Sequence, residues 1–269
     1  MKTAINETTN VQPLKDTIAI KDLILDRSIL NLHMFASADK TRSAIRHVYF
    51  KFKEGALEVV ATNGHYMSIL RTDKIKACHS MPDLNKVMNM HRDGVRQSGV
   101  IDRPTIPDCA FTLDCDFLAS IKPRKSDIVF LDFEIVQQPD KPDLPVTKVK
   151  IRVFDPISCQ TVEHNNRTGI EIFPDYMAVM PTERLLMPVD EKELPTYHPE
   201  PSYSGFTMGL NPQYVGLFGQ YCKKSLFTST SYKWEFFGPQ NPVKITKDLK
   251  DIGKDLKEII FVVMPLRIK

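Results

Sequence analysis

The sequence predicts an α+β fold assembled from one repeated unit: a strand, an amphipathic helix, then several strands. Two observations predict it. Three stretches of the chain run through those elements in that order, and a Pro-rich segment separates the second from the third. With 42% hydrophobic and 26% charged residues among 269, the chain has the composition of a globular protein and enough length for a sizeable core.

After a polar tail over 1–16, the alternating segment Thr17–Leu25 predicts the first strand. A helix is expected from Asp26 or Ser28, with Ile29, Leu32, Phe35 and Ala36 at helical spacing. His47–Lys53 and Ala56–Leu70 predict two strands joined by a hairpin turn at Glu54-Gly55.

The second stretch opens with a strand at Cys109–Leu113. Asp114 is placed to cap a short helix bearing Phe117, Leu118 and Ile121, and Pro123 stops it. Strands are expected at Ile128–Val136, Thr147–Phe154, Ser158–Glu163 and Gly169–Ile172, with a loop over Gln137–Pro145.

In the third stretch Asn211 caps a helix with Pro212 at its first position. Tyr214, Val215, Leu217, Phe218, Tyr221 and Cys222 trace its buried stripe. Leu226–Thr230, Tyr232–Phe237, Val243–Thr246 and Ile259–Arg267 predict strands, and Lys247–Glu258 an exposed loop or short surface helix. Pro181, Pro188, Pro195, Pro199 and Pro201 predict an extended linker over 182–202. That linker would divide a domain over 17–181 from a partial one over 203–269.

Several classes of function find no support. No apolar run reaches the roughly 18 residues of a membrane span, and the polar start lacks a signal peptide's apolar core, so a cytoplasmic location is expected. Five cysteines at irregular spacings, without a CxxC pair, predict reduced and mostly buried thiols rather than a zinc site or disulfide framework. A formal net charge of +3 is too small for gripping nucleic acid by bulk electrostatics, though a ring around DNA needs no such grip. Phosphate-binding, dinucleotide-binding and HExxH motifs do not occur. Asp132 and Glu134 share a strand face without a third ligand, and Cys159 and His164 lack an orienting group. Trp234, Phe236 and Phe237 are expected in the core rather than as a base-stacking platform.

Three segments, in order, resemble the bacterial DNA sliding clamp, the β subunit of DNA polymerase III. Glu58-Val-Val-Ala-Thr-Asn-Gly-His-Tyr-Met67 resembles that family's strand ending in Ala-Thr-Asp-Gly-His-Arg-Leu. Phe173-Pro-Asp-Tyr-Met-Ala-Val-Met-Pro181 is similar to its Phe-Pro-Asp-Tyr-Arg-Arg-Val-Leu-Pro. Phe261-Val-Val-Met-Pro-Leu-Arg-Ile268 is similar to its Tyr-Val-Val-Met-Pro-Met-Arg-Leu ending. The helix start Leu210-Asn-Pro-Gln-Tyr-Val215 also resembles the family's. Residues 17–181 then correspond to the clamp's middle domain and 203–268 to the latter half of its last. Tyr66 and Met177-Ala178 stand where the family has arginines.

The resemblance implies a clamp fold, with antiparallel sheets outside and helices inside, in a shortened version of the kind a phage or mobile element carries. It implies a pocket for a short apolar peptide of partner proteins. Carried over by position, that pocket comprises Ile45, Thr62, Gly64, His65, Met67, Pro174, Val179, Val262, Val263, Met264, Pro265, Leu266 and Arg267. Basic residues at helix ends would face DNA: Lys40, Arg42 and Arg46, then Lys122, Arg124 and Lys125, then Lys223 and Lys224. The implied function is a DNA polymerase processivity factor, a homo-oligomeric ring that encircles duplex DNA without regard to sequence. DNA polymerase and clamp loader would be its partners, with no catalysis, metal or cofactor. The alternative is a non-encircling adaptor or decoy that keeps the pocket and binds clamp-interacting proteins.

Overall fold

The computed structural model describes residues 17–73, 75–78, 100–102, 104–138, 141–169, 172–181, 208–225, 227, 231–237, 241–249 and 256–266. The three stretches fold as repeats of one unit. The first comprises β1 (Thr17–Leu25), α1 (Arg27–Leu30) continued by a 3-10 turn over Asn31–Phe35, α2 (Ser43–Arg46), β2 (His47–Lys53), β3 (Ala56–Thr62) and β4 (Tyr66–Thr72). The short β5 (Lys76–Cys78) and β6 (Val100–Asp102) follow it. The second comprises β7 (Cys109–Asp114), α3 (Cys115–Ser120), β8 (Ile128–Gln138), β9 (Lys141–Asp155) and β10 (Gln160–Gly169). The third comprises α4 (Pro212–Lys224), β11 (Lys233–Glu235), β12 (Val243–Asp248) and β13 (Glu258–Val263).

The helix starts form where the sequence supplies caps. Asp26, Asp114 and Asn211 each accept a backbone N–H from the first turn that follows, at 2.8 Å from Ser28, 2.8 Å from Asp116 and 2.9 Å from Gln213. Glu54 and Gly55 both adopt positive φ (52° and 75°), the backbone that a tight two-residue hairpin between β2 and β3 requires.

The strands form two antiparallel sheets, ordered β10-β9-β8-β1-β5-β6 and β11-β12-β13-β4-β3-β2-β7. The first two repeats exchange their leading strands: β1 pairs with β8, and β7 pairs with β2. The inward faces of both sheets meet in one core, where Phe133 of one lies 5.2 Å from Phe52 and 4.9 Å from Phe111 of the other. The helices close this core. Phe35 reaches Tyr221 of α4 and Phe261 of β13 at ring separations of 5.0 and 5.6 Å. The third repeat joins the first in one sheet, because β13 runs antiparallel to β4 from Glu258 opposite Arg71 to Val263 opposite Tyr66.

Four expectations are corrected. The run Ala56–Leu70 is two strands, broken where Asn63 and Gly64 turn the chain; both faces of β4 are buried, which hides the break in an unbroken apolar pattern. The loop expected over Gln137–Pro145 is instead the hairpin end of β8 and β9. Pro142 and Pro145 are tolerated there because they fall where the β8–β9 register shifts, between Val136 opposite Val146 and Gln138 opposite Lys141. The strand expected at Ser158–Glu163 begins at Gln160 and runs on to Gly169 as β10, while of the one expected at Gly169–Ile172 residues 170 and 171 lie outside the described residues and Ile172 is in no strand. The segment Lys247–Glu258 is anchored rather than exposed at its ends: Lys247 and Leu249 are buried, as is Leu256. Burial of Lys247 is offset by its hydrogen bond to the Ser231 carbonyl (3.1 Å) and its position over the Tyr232 ring (5.0 Å). The tail over 1–16, residues 182–202 and most of Leu226–Thr230 lie outside the described residues.

Candidate partner-binding groove

The seam between β4 and β13 carries a second, smaller apolar cluster on the face away from the main core. Alternation sends Ile259, Phe261 and Val263 of β13 into the main core, and Ile260 and Val262 to the other side. There they join Val60, Met67 and Ile69 under a cover formed by residues 172–181. Phe173 stacks on Tyr49 at 5.1 Å, and Asp175 caps the 3-10 turn Tyr176–Val179 by accepting the Met177 N–H at 3.0 Å. The Tyr176 hydroxyl donates to Glu58, whose carboxylate also receives Arg71, and Arg71 reaches Glu258 at 3.0 Å. This network ties the cover to β3, β4 and β13 together. Burial and then the neighbouring Glu58 carboxylate hold the Tyr176 phenol well above its ordinary range, so it stays a donor.

Beside the cover a groove of about 200 Å³ opens between three chain segments that are distant in sequence. Thr62, Gly64, His65 and Met67 form one wall, Pro174 and Val179 a second, and Val262 and Met264 a third; Ile45 closes an end. The first wall is a shaped turn. The Asn63 side chain accepts the N–H groups of His65 (2.9 Å) and Tyr66 (3.1 Å), while Thr62 accepts Gly64 N–H at 3.1 Å. Gly64 sits at φ +89°, and a Cβ there would fall 2.9 Å from the Arg42 guanidinium. The Met264 N–H donates to the His65 carbonyl at 2.9 Å, locking the third wall to the first.

The structure therefore brings nine of the thirteen expected groove residues together. Val263 is not among them: it alternates into the main core and is fully buried. Pro265 and Leu266 continue past the groove, with Leu266 bridging Gly209, and Arg267 lies outside the described residues. Tyr66, Asp175 and Tyr176 also line the groove and were missed by position-by-position carry-over, though two belong to the segment Phe173–Pro181 that signalled it.

The basic residues expected to face DNA divide into three kinds. Arg42 stands at the groove rim and donates to the Asn63 carbonyl at 3.2 Å, so its placement is with the groove. Arg46 is turned inward to Asp114 (3.0 Å) and Asp116, its side chain 13% exposed. Lys40, Lys122, Arg124, Lys125, Lys223 and Lys224 are exposed at helix ends, with Arg124 also reaching Asp155 at 3.4 Å. The Asp114, Cys115 and Asp116 side chains lie near one another, but their carboxylates cap α3 and hold Arg46. Asp132 is engaged by Arg152 (2.9 Å) and Glu134 by Lys148 (3.1 Å), consistent with a strand face and not a ligand pair. Trp234 and Phe236 correct the expected core placement: they are 42% and 51% exposed at a sheet edge, while Phe237 is buried. Among the described residues, no helix is long and apolar enough to cross a membrane.

No family model and no curated protein matches the sequence. Solved structures do. The Helicobacter pylori β clamp in complex with carprofen aligns with 98% of this chain and 70% of its own, at a TM-score of 0.51 and 14% identity. The same clamp in complex with diflunisal aligns with 94% and 66%, at 0.50 and 14%. The Thermotoga maritima DNA polymerase III β subunit covers 98% and 69%, at 0.47 and 13%. The chain has the fold of bacterial sliding clamps and spans about two thirds of the length of those it matches.

Proposed function

We propose that this chain is a shortened processivity clamp: a non-catalytic, cytoplasmic protein that assembles around duplex DNA and holds a DNA polymerase through the groove at the β4–β13 seam. The observation that carries the reading is the groove itself. Apolar walls from Met67, Val179, Val262 and Met264, with Arg42 and Asp175 at its polar margin, suit a short peptide with a hydrophobic anchor. The same walls are built by the three segments that resemble the clamp family. Met67 and Met264 can repack around different side chains, which suits a site shared by several partners. Tyr66 and Met177-Ala178 leave the margin less basic than in that family, so the apolar anchor carries more of the affinity.

Encirclement draws on the exposed lysines at helix ends, among them Lys122, Lys125, Lys223 and Lys224, which supply a weak, sequence-independent attraction to phosphates. Retention on circular DNA, compared with the same DNA linearised, tests this directly. A sliding ring stays on the circle and runs off the line. Equal loss from both, together with retained peptide binding, identifies the non-encircling adaptor and overturns the ring. Failure to bind any polymerase-derived clamp-motif peptide overturns the groove.

A further inference from the structure

The cover over 172–181 lies on the sheet without joining its ladder. Among the described residues, its backbone hydrogen bonds close on itself, from Ala178 N–H to the Asp175 carbonyl (3.3 Å) and from Met180 N–H to the Met177 carbonyl (3.1 Å). Phe173, Tyr176 and Met180 pack on the apolar cluster of the seam, but apolar packing is non-directional. Among the described residues, one hydrogen bond fixes where the cover sits, donated by the Tyr176 hydroxyl to Glu58. Pro174 stands just before Tyr176 and Val179 one 3-10 turn after it, and both are groove walls. The place of Tyr176 therefore sets the whole second wall.

The acceptor is itself aimed from further away. Glu58, Arg71 and Glu258 stand directly opposite one another on β3, β4 and β13. Glu58 receives the Tyr176 hydroxyl on Oε1 and the Arg71 Nε on Oε2. A second Arg71 nitrogen donates to Glu258 at 3.0 Å. Lys51, opposite Glu58 on β2, forms no ion pair among the described residues, so the orientation of the Glu58 carboxylate falls to Arg71. The Glu58 side chain is 17% exposed, which shelters these bonds enough for them to hold a geometry. Glu258 lines no part of the groove. Its side chain reaches the second wall through three contacts in series: to Arg71, from Arg71 to Glu58, and from Glu58 to Tyr176.

We propose that Tyr176 is a positioning residue for the groove, and that Glu258, a residue outside it, sets peptide affinity through Arg71 and Glu58. The proposal rests on the reading of the groove as a peptide site. Order in the free protein is the physical link. A wall already in place costs an incoming peptide nothing to arrange, whereas a cover free to slide on its apolar bed must be ordered at the moment of binding. Affinity is then governed by a residue of the third repeat that never meets the peptide.

Tyr176→Phe keeps the ring and its burial and removes the hydroxyl alone. Fluorescence anisotropy of a labelled clamp-motif peptide on the full chain should show the dissociation constant rising about fivefold or more. Glu258→Gln should raise it about two- to fivefold. In the Tyr176→Phe background Glu258→Gln should add less than about twofold, because the hydroxyl through which it acts is gone. Glu163→Gln, whose partner Lys150 lies 3.1 Å away, is the ion-pair control and should leave affinity unchanged. Hydrogen exchange of the free chain reads the same positioning without a peptide. The Met177, Ala178 and Met180 amides should exchange faster in Tyr176→Phe, while those of β4 and β13 keep their protection. Unchanged exchange in the cover, an unchanged dissociation constant in Tyr176→Phe, or a Glu258→Gln loss that persists undiminished without the hydroxyl overturns the proposal. A parent chain that binds no peptide overturns the groove reading instead, and the exchange rates then decide whether Tyr176 holds the cover.

Discussion

Met264→Ala is the substitution that isolates the groove from the fold. Met264 lies just beyond β13, partly exposed, and its backbone N–H to His65 survives the change. Val262 is a poorer probe although it lines the same wall, because it is 2% exposed and packed in the cluster beneath the cover. Truncating Val262 removes core, and placing a carboxylate there unfolds the seam. Full burial of a methionine side chain is worth roughly 1.5–3 kcal/mol. Met264 is already partly covered in the free protein, so a docked peptide removes about half of that surface from water, or ~0.8–1.5 kcal/mol. At 1.4 kcal/mol per decade, the dissociation constant of a clamp-motif peptide should rise ~4- to 12-fold. Fluorescence anisotropy of a labelled peptide reads this, with Val162→Ala on β10 as the matched control. The reasoning is refuted by a dissociation constant within twofold of the parent, or by a loss equal to that of the control.

Three further outcomes follow from the same geometry. Gly64→Ala places a side chain at φ +89°, a left-handed conformation costing roughly 1–2 kcal/mol; thermal unfolding should fall by about 2–8 °C, and an unchanged midpoint argues against the turn. His33 has its pKa lowered, chiefly by burial and further by Lys224, against the opposing hydrogen bond to Leu30. The folded state therefore favours the neutral ring, and stability should decline as pH falls below the unfolded value of about 6.5; denaturant titrations should show that slope flattened in His33→Asn, and an equal slope in both sinks the assignment. Burial, then the Asp108 carboxylate, push the Cys109 thiol up to about 11, while Cys159 is exposed. At pH 8 about a thousandth of Cys109 is thiolate, so mass spectrometry should find iodoacetamide on Cys159 well before Cys109, and equal rates contradict the burial.

The elements that were legible in the sequence are those specified by local chemistry. Asp26, Asp114 and Asn211 announce helix starts because a cap is satisfied within three residues of itself. Glu54-Gly55 announces a hairpin for the same reason. What escaped was set by partners far along the chain. Whether Pro142 and Pro145 sit in a loop or a strand depends on how far β8 and β9 stay paired around them, not on the prolines. Trp234 reads as core from its strand context, and its exposure follows from the position of β11 at the end of the sheet. Val263 is the instructive case among the groove residues. A list carried over by resemblance includes it, yet a period of two in β13 sends it to the opposite face from Val262.

The groove has a property that its residue list does not convey. Its walls come from residues 62–67, 174–179 and 262–264, and two of those walls are neighbouring strands of one seam. Without β13, Met67 and Ile69 lose the partners that bury them, and Glu58 and Arg71 lose the Glu258 carboxylate that completes their network. The cover over 172–181 is fastened through Tyr176 to that same network, so it loosens with it. On the proposed function, peptide binding depends on docking of the third repeat on the first, and a fragment that ends before residue 258 should not retain it. The same docking fixes β12 beside β13 and β11 beside β12, so the edge bearing Trp234 is held by the seam that forms the groove. One act of strand pairing, β4 with β13, organises both the groove proposed for a partner peptide and the sheet edge that carries Trp234.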